Sequence, residues 1–193
     1  MKINFLVDRH NTYWAVIVLS VICLTAMLPG CESGEPPPKE AVITLSLSST
    51  VFHDGEAIPD KYACQGVDIS PPLSWGEPTA GTRSLALIVE DLDTSGMFTH
   101  WVIFNIHADV DELPEALSFR SELLGALEGK NDFGNIGYGG PCPPSGKPHR
   151  YQFTLYALDG SLDLEAGASK KQVLGAMEGH ILAQGQLIGT YQR

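Results

Sequence analysis

Residues 83–90 read Arg83-Ser-Leu-Ala-Leu-Ile-Val-Glu90, a nearly continuous apolar run between a basic and an acidic end. A strand that is covered on only one face alternates apolar and polar residues, whereas a strand buried on both faces shows an unbroken run like this one. The stretch therefore predicts the central strand of a β-sheet.

Four other stretches of the chain predict further strands. They are residues 42–48, 100–106, 150–158 and 181–191. The first and the third alternate apolar and polar side chains, as half-buried strands do. Gly185 and Gly189 interrupt the last strand, and we expect them to mark β-bulges.

Helical signals are few. Ser169 and Gln172 have the spacing of a capping box, which predicts a helix over 169–179, and a second helix is expected near 120–127. Turn signals such as Asp159-Gly160 separate the strands. Several short strands with regular turns predict a mainly β fold, an antiparallel β-sandwich with one or two short helices.

The N-terminus predicts a bacterial lipoprotein signal peptide over residues 1–31. A positively charged start precedes a mostly apolar stretch, residues 13–28, and Leu28-Pro-Gly-Cys31 resembles a lipobox. An uncleaved transmembrane anchor is the alternative, but roughly 20 apolar residues are needed to span a bilayer and this stretch is shorter. Cys31 is the expected lipidation site, and its acyl chains would anchor the protein.

The remainder of the chain predicts a tether and one domain. Residues 32–40 contain consecutive prolines that favour an extended chain, which leaves residues 41–193 as the domain. The chain carries 12 basic and 23 acidic residues, a formal net charge of -11. This acidity argues against nucleic acid as a partner and against electrostatic binding to anionic lipids. We expect a place in the bacterial cell envelope, with membrane attachment through the lipid anchor only.

Two cysteines remain once Cys23 leaves with the signal peptide and Cys31 is lipidated. They are Cys64 and Cys142. A disulfide between them fits an oxidising compartment outside the cytoplasm. Two buried or pocket-lining thiols are the alternative interpretation.

Four segments carry a family resemblance through their order along the chain. They are Tyr62-Ala-Cys64 with Ile69-Ser-Pro-Pro-Leu-Ser-Trp75, Asp91-Leu-Asp93-Thr-Ser95, His100-Trp-Val-Ile-Phe-Asn105, and Gly140-Pro-Cys-Pro-Pro144 with His149-Arg150-Tyr151. Together they resemble the phosphatidylethanolamine-binding protein family, also called the Raf kinase inhibitor protein family, in its bacterial branch. The match runs from about Leu45 to Tyr191. Leu92 and Ser95 replace both prolines of the family's acidic motif.

The resemblance implies a β-sandwich with a small surface pocket for phosphate-type anions. Carried over to this sequence, the pocket is lined by Asp91, His100, His149 and Tyr151, and Gly140 and Pro141 shape its rim. Two imidazoles are expected to donate hydrogen bonds to the anion, with an acid that raises their pKa or accepts from a ligand amine or hydroxyl. Gly140 would permit close backbone approach.

Arg150 is expected to point away from this pocket, because adjacent residues of a strand face opposite sides. His149 and Tyr151 then share one face, and Arg150 lies on the other. An ion pair with Asp93 is its expected structural role.

The function that follows is a non-enzymatic binding module without a cofactor. Its ligand would be a small phosphate-containing or other anion, and the pocket would serve to regulate a protein partner. Inhibition of an envelope protease is one alternative. A metal-dependent hydrolase that uses Asp91, Asp93, His100 and His149 as ligands is another, although no short-spaced His pair supports it. No Gly-x-Ser-x-Gly motif supports a serine hydrolase.

Overall fold

The computed structural model of the protein describes residues 43–117 and 121–193. One α-helix lies within these residues, α1 (Lys170–Met177), together with short 3-10 helices at Asp60–Tyr62 and Ser121–Leu124. The strands are β1 (Ile43–Thr44), β2 (Leu47–Ser48), β3 (Leu73–Trp75), β4 (Ser84–Asp91), β5 (Phe98–His107), β6 (Glu112–Leu113), β7 (Leu127–Glu128), β8 (His149–Leu158) and β9 (Ile181–Tyr191).

The strands form two sheets. The larger sheet has the order β1-β9-β8-β4-β5-β7 and the smaller one the order β2-β3-β6. Every neighbouring pair is antiparallel except β1 with β9. The predicted mainly β, largely antiparallel sandwich is therefore confirmed, and β4 lies in the interior of the larger sheet.

The apolar run of β4 is explained by cover on both of its faces. Leu85, Leu87 and Val89 pack toward the smaller sheet, in a core that includes Leu73 and Trp75. The intervening residues of β4, Ala86 and Ile88, pack on the outer face of the sheet in a second cluster with α1. Each β4 side chain in this run thus loses its contact with water, which stabilises the fold by roughly 25 cal/mol per Å² of apolar surface.

Helix α1 confirms the capping box. The Ser169 hydroxyl accepts from the Gln172 amide, and the Gln172 side chain accepts from the Ser169 amide at 3.0 Å. The second predicted helix was wrong in its type and extent. Its described residues contain only the 3-10 helix Ser121–Leu124, which ends where Gly125 adopts a φ of 66°.

The two glycines of β9 do not mark bulges, so that prediction was wrong. Gly185 and Gly189 pair in regular register with Leu155 and Tyr151 of β8. Their role is close packing: a Cβ on Gly185 would lie 2.0 Å from the Leu45 carbonyl oxygen. Glycine is required there because the chain crosses from β1 to β2 directly over β9.

The single strand predicted over 42–48 is divided in the structure. β1 joins the larger sheet beside β9, whereas β2 joins the smaller sheet beside β3. The proposed signal peptide, Cys31 and the tether lie outside the described residues. Within the ranges 43–117 and 121–193, no helix is long and apolar enough to cross a membrane.

Candidate functional site

One end of the larger sheet collects three of the predicted side chains through strand register. Asp91 is the last residue of β4 and pairs directly with Tyr151 of β8. His149 lies two residues before Tyr151, so it shares that face because side chains repeat every second residue along a strand. All three therefore lie on the inner face, at the edge of the core.

His100 reaches this face through a β-bulge. Val89 pairs with Trp101, but the next residue of β4, Glu90, pairs with Thr99, so His100 is an extra residue in β5. Strict alternation would place His100 on the outer face, toward α1. The bulge redirects it, and its ring lies edge-on against Tyr151 with 5.1 Å between ring centroids.

His149 and Asp91 form a buried pair. The His149 Nδ1 lies 2.7 Å from Asp91 Oδ2, with 17% and 3% of the two side chains exposed. The other carboxylate oxygen, Oδ1, accepts from the Asp93 amide at 2.9 Å. Since the carboxylate holds the Nδ1 side of the ring, Nε2 is the nitrogen that His149 presents to a ligand.

His100 is held in one tautomer. Its Nδ1 lies 2.7 Å from the Gly139 carbonyl oxygen, which can only accept, so Nδ1 carries the hydrogen. Burial lowers the pKa of His100 below its usual 6.5, although the Gly139 carbonyl and the Asp91 carboxylate favour the charged form. The neutral ring presents an acceptor lone pair at Nε2. Asp91 acts to raise the pKa of His100, as expected, but burial outweighs it and the net shift is downward.

Tyr151 carries a buried hydroxyl that makes no well-formed hydrogen bond. Among the residues that the structure describes, it is the one buried side-chain polar atom that meets no hydrogen-bond geometry, although the Asp91 carboxylate and the Cys142 backbone lie close enough to act on it. Burial, followed by the nearby Asp91 carboxylate, raises the pKa of Tyr151 far above its usual value of 10. The hydroxyl therefore keeps its proton and remains a donor in the site.

Two phenylalanines that sequence reasoning missed form one wall. Phe98 and Phe133 pack against the His100 ring with centroid distances of 5.3 and 5.2 Å, and against each other at 4.8 Å. Asp132 holds the second of them in place, because its carboxylate accepts from the Thr99 amide at 2.7 Å. No local pattern indicates Phe133, which lies on a loop far along the chain from β5.

The rim is tied to the opposite segment of the chain. Cys64 and Cys142 form a disulfide with an S–S distance of 2.03 Å, and the Cys64 amide donates to the Pro141 carbonyl at 3.1 Å. A Cβ on Gly140 would lie 2.3 Å from the Tyr62 carbonyl oxygen. Gly140 thus permits the backbone that carries Tyr62 and Cys64 to approach closely. Pro141 lies between Gly140 and the disulfide-bonded Cys142.

Arg150 faces away from the site, as its strand position predicts. Its guanidinium donates to Asp93 Oδ2 from Nε at 3.0 Å and to Oδ1 from Nη2 at 2.7 Å. These side-chain hydrogen bonds lower the pKa of Asp93 to about 2. Both Asp93 oxygens are therefore engaged outside the cluster of Asp91, His100, His149 and Tyr151.

The metal-site alternative is not supported by this geometry. Asp93 points to Arg150, so the four proposed ligands do not converge. Over 43–117 and 121–193, the structure brings no three His, Cys, Asp or Glu side chains into a group able to hold a metal ion.

A second concave region lies at the other end of the same strands. It is a surface cavity of about 720 Å³ whose lining includes Arg83, Asp159 and His180. None of the predicted pocket residues contributes to it. Its His180 Nδ1 and Asp159 Oδ1 are 2.8 Å apart, and both side chains are about half exposed.

A family model and curated relatives in other organisms match this chain over most of its length. A family model described as phosphatidylethanolamine-binding protein matches residues 48–192. A UPF0098 protein of Methanothermobacter thermautotrophicus is 52% identical over 151 residues, which cover 77% of this chain and 99% of that protein. A UPF0098 protein of Chlamydia muridarum is 46% identical over 155 residues, with 77% and 99% covered.

Solved structures agree with the sequence comparison. A putative phosphatidylethanolamine-binding protein homologue from Chlamydia trachomatis has a TM-score of 0.71 at 44% identity, covering 78% of this chain and 98% of that one. YbcL of E. coli, described as a new member of the mammalian PEBP family, has a TM-score of 0.72 at 32% identity, with 77% and 98% covered.

Proposed function

Because this chain belongs to the phosphatidylethanolamine-binding protein family and has its binding-type fold, we propose that it is a non-enzymatic binding protein for a small phosphate-type anion. The ligand would lie among Asp91, His100, His149 and Tyr151. The protein would use the occupied pocket to regulate a protein partner.

The observation that carries this proposal is the Tyr151 hydroxyl. It is a buried donor that makes no well-formed hydrogen bond, and it lies beside the pair of His149 with Asp91 and beside the His100 ring. A buried polar group left unsatisfied costs about 1–3 kcal/mol. An oxyanion that accepts from this hydroxyl removes that cost on binding, which favours a ligand at this place.

The protonation states favour binding over catalysis. The raised pKa of Tyr151 keeps its hydroxyl a poor nucleophile, and the Asp91 carboxylate is engaged by His149 and by the Asp93 amide. No side-chain nucleophile paired with a free general base stands among these residues. A binding role needs only the donors and acceptors that are present.

A location in the bacterial envelope is part of the same proposal. The disulfide between Cys64 and Cys142 fits an oxidising compartment. A lipid on Cys31 would hold the domain at the membrane through the proline-rich tether. The substitution Cys31→Ser should abolish partitioning of the protein into the detergent phase and leave an unprocessed precursor, and unchanged partitioning would contradict the lipid anchor.

The proposed ligand is tested by titration. The full-length protein in detergent micelles is titrated with methyl phosphate by calorimetry, as wild type, Tyr151→Phe and His180→Gln. We expect millimolar or tighter binding by wild type and by His180→Gln, and a loss of about one to two decades for Tyr151→Phe, since a hydrogen bond to a charged group contributes about 1.5–3 kcal/mol. Equal binding by Tyr151→Phe would place the ligand elsewhere.

A further inference from the structure

We propose that the pocket selects an oxyanion that carries its own proton, so that it takes a phosphate monoester with a P–O–H group in preference to an unprotonated oxyanion of the same shape. This inference rests on the proposed function and specifies the ligand of the same site. His100 is the residue that would make the selection.

The first step is the polarity of His100. The Nδ1 hydrogen of His100 is donated to the Gly139 carbonyl oxygen, at a distance of 2.7 Å between the heavy atoms. Only 3% of the surface of His100 is exposed. The nitrogen left for a ligand, Nε2, is an acceptor. A ligand atom placed there must donate a hydrogen, which a P–O–H group does and a deprotonated oxygen does not.

The second step is the charge that surrounds the pocket. The charged groups that act on His100 are the Asp91 carboxylate from β4 and the Asp132 carboxylate from the loop after β7, beside the Gly139 and Gly140 backbones. From β8, Tyr151 contacts its ring, and His149 is paired with Asp91. The nearby guanidinium, on Arg150, is paired with Asp93 outside the site. A dianion would therefore meet carboxylates without a permanent counter-charge.

The third step is the count of donors. Because Asp91 holds His149 at Nδ1, the Nε2 of His149 donates only when that imidazole is cationic. With both rings neutral, the four side chains offer one donor, the Tyr151 hydroxyl, against two imidazole lone pairs and a carboxylate. A proton on the ligand lowers its charge and supplies the missing donor at once.

These steps predict how affinity depends on pH. A phosphate monoester has its second ionisation near pH 6, so between pH 8 and pH 5 its singly protonated form rises from a small fraction to nearly all of it. Affinity for a phosphate monoester should therefore rise more steeply on acidification than affinity for an anion that has no proton to gain.

Two isosteric ligands separate the proton from the charge. Methyl phosphate at pH 5 and methyl sulfate are both monoanions of the same shape, but only methyl phosphate has a P–O–H group. Calorimetry on the full-length wild-type protein should show about tenfold tighter binding of methyl phosphate at pH 5, the range expected for one buried hydrogen bond. Dimethyl phosphate, a monoanion without a hydroxyl, should bind like methyl sulfate.

The variant His100→Phe keeps a ring against Phe98, Phe133 and Tyr151 but removes the lone pair. We expect it to lose most of the preference for methyl phosphate, while the exposed-site control His180→Gln keeps it. Equal affinities of wild type for the three ligands at pH 5 would overturn the selection by proton and leave the anion pocket intact. A protein that binds none of them at any pH would overturn the proposed function as well.

Discussion

Two histidine–aspartate pairs of nearly equal geometry lie at opposite ends of the same strands. His149 and Asp91 are 2.7 Å apart, and His180 and Asp159 are 2.8 Å apart. The first pair is 17% and 3% exposed, and the second is 56% and 46% exposed. Water screens the second pair, and exposed pairs of this kind contribute about 0–1 kcal/mol to stability.

The neighbours of the two pairs differ more than the pairs themselves. Around His149 and Asp91 the adjoining groups are withdrawn from water, and the Tyr151 hydroxyl makes no well-formed hydrogen bond there. Around His180 and Asp159 the cavity is open, and solvent can satisfy the polar atoms. The comparison teaches that a distance between two charged groups does not by itself mark a candidate site, whereas a buried polar atom without a well-formed hydrogen bond beside them does.

The largest expected effect on stability comes from removing the disulfide between Cys64 and Cys142. This bond lies at the end of the larger sheet that carries His149 and Asp91. The double variant Cys64→Ser/Cys142→Ser should lower the free energy of unfolding by about 4 kcal/mol, because the bond closes a long loop. Chemical denaturation with and without reductant measures this difference. Thiol counting on the denatured, unreduced protein should find Cys64 and Cys142 blocked, and two titratable thiols there would contradict the bond.

The next effect comes from removing the acid of each pair. Asp91→Ala leaves the His149 ring and the Asp93 amide without an acceptor in a buried place, so we expect a loss of about 2 kcal/mol in unfolding free energy. Asp159→Ala should cost less than about 1 kcal/mol, because its partner is exposed. Thermal or urea unfolding of both variants gives the comparison, and equal losses would mean that burial does not distinguish the pairs.

The same acid should also matter for the ligand. We expect Asp91→Ala to weaken binding of methyl phosphate even though it removes a negative charge. The reason is that His149 loses the contact that orients its ring, and a misaligned donor is lost outright whereas a charge can be screened. Tighter binding by Asp91→Ala in calorimetry would show that repulsion outweighs orientation.

Removing each histidine sharpens the functional side of the comparison. His149→Ala should lower affinity for methyl phosphate by about one to two decades, because the truncation removes a hydrogen-bonding group that faces the charged ligand. His180→Ala should leave affinity unchanged. Titrations followed by NMR report both, and identical chemical-shift changes in wild type and His149→Ala would place the pocket elsewhere.

The smallest effect belongs to the pair behind the site. Hydrogen bonds from Arg150 lower the pKa of Asp93 from 3.8 to about 2. A carboxyl whose pKa is depressed by folding stabilises the native state above its unfolded pKa, and this contribution is lost as pH falls through the folded value. Asp93→Asn should therefore be less stable than wild type at pH 5, by less than about 1 kcal/mol given the exposed guanidinium, and nearly equal at pH 2. Unfolding measured across pH 2–5 tests the sign.

The strands could be predicted because their patterns are local. The continuous apolar run in β4 and the alternation of apolar and polar residues in β8 depend on whether one or both faces of the strand are buried. Both patterns are visible in the sequence itself. The division of the first strand between β1 and β2 could not be predicted, since it depends on which sheet each half pairs with. The prediction for the glycines of β9 was wrong for the same reason. Gly185 lies against Leu45 and Gly189 lies against Ile58, and both neighbours are far away in the chain.

The candidate site residues were named through the family resemblance rather than through any pattern of the residues themselves, and their role as a site stays a prediction. Register explains why Asp91 and Tyr151 meet, but register is known only when the strands are paired. The tautomer of His100 depends on the Gly139 carbonyl, and the wall formed by Phe133 depends on a loop folding back. These are contacts between distant segments, so composition and spacing carry no trace of them.

The bulge at His100 means that this side chain can be removed by shortening the protein. Trp101 pairs with Val89 and Thr99 pairs with Glu90, so deletion of the one residue between them would leave the other pairings of β5 with β4 unchanged, while it would remove the hydrogen bonds that His100 makes with Gly139. Regular alternation would return, with Trp101 still on the inner face and Thr99 still on the outer one. Deleting His100 removes no residue that is paired with β4, whereas deleting Thr99 or Trp101 would. The His100 ring could thus be removed from the candidate site by a one-residue deletion, without introducing a different side chain.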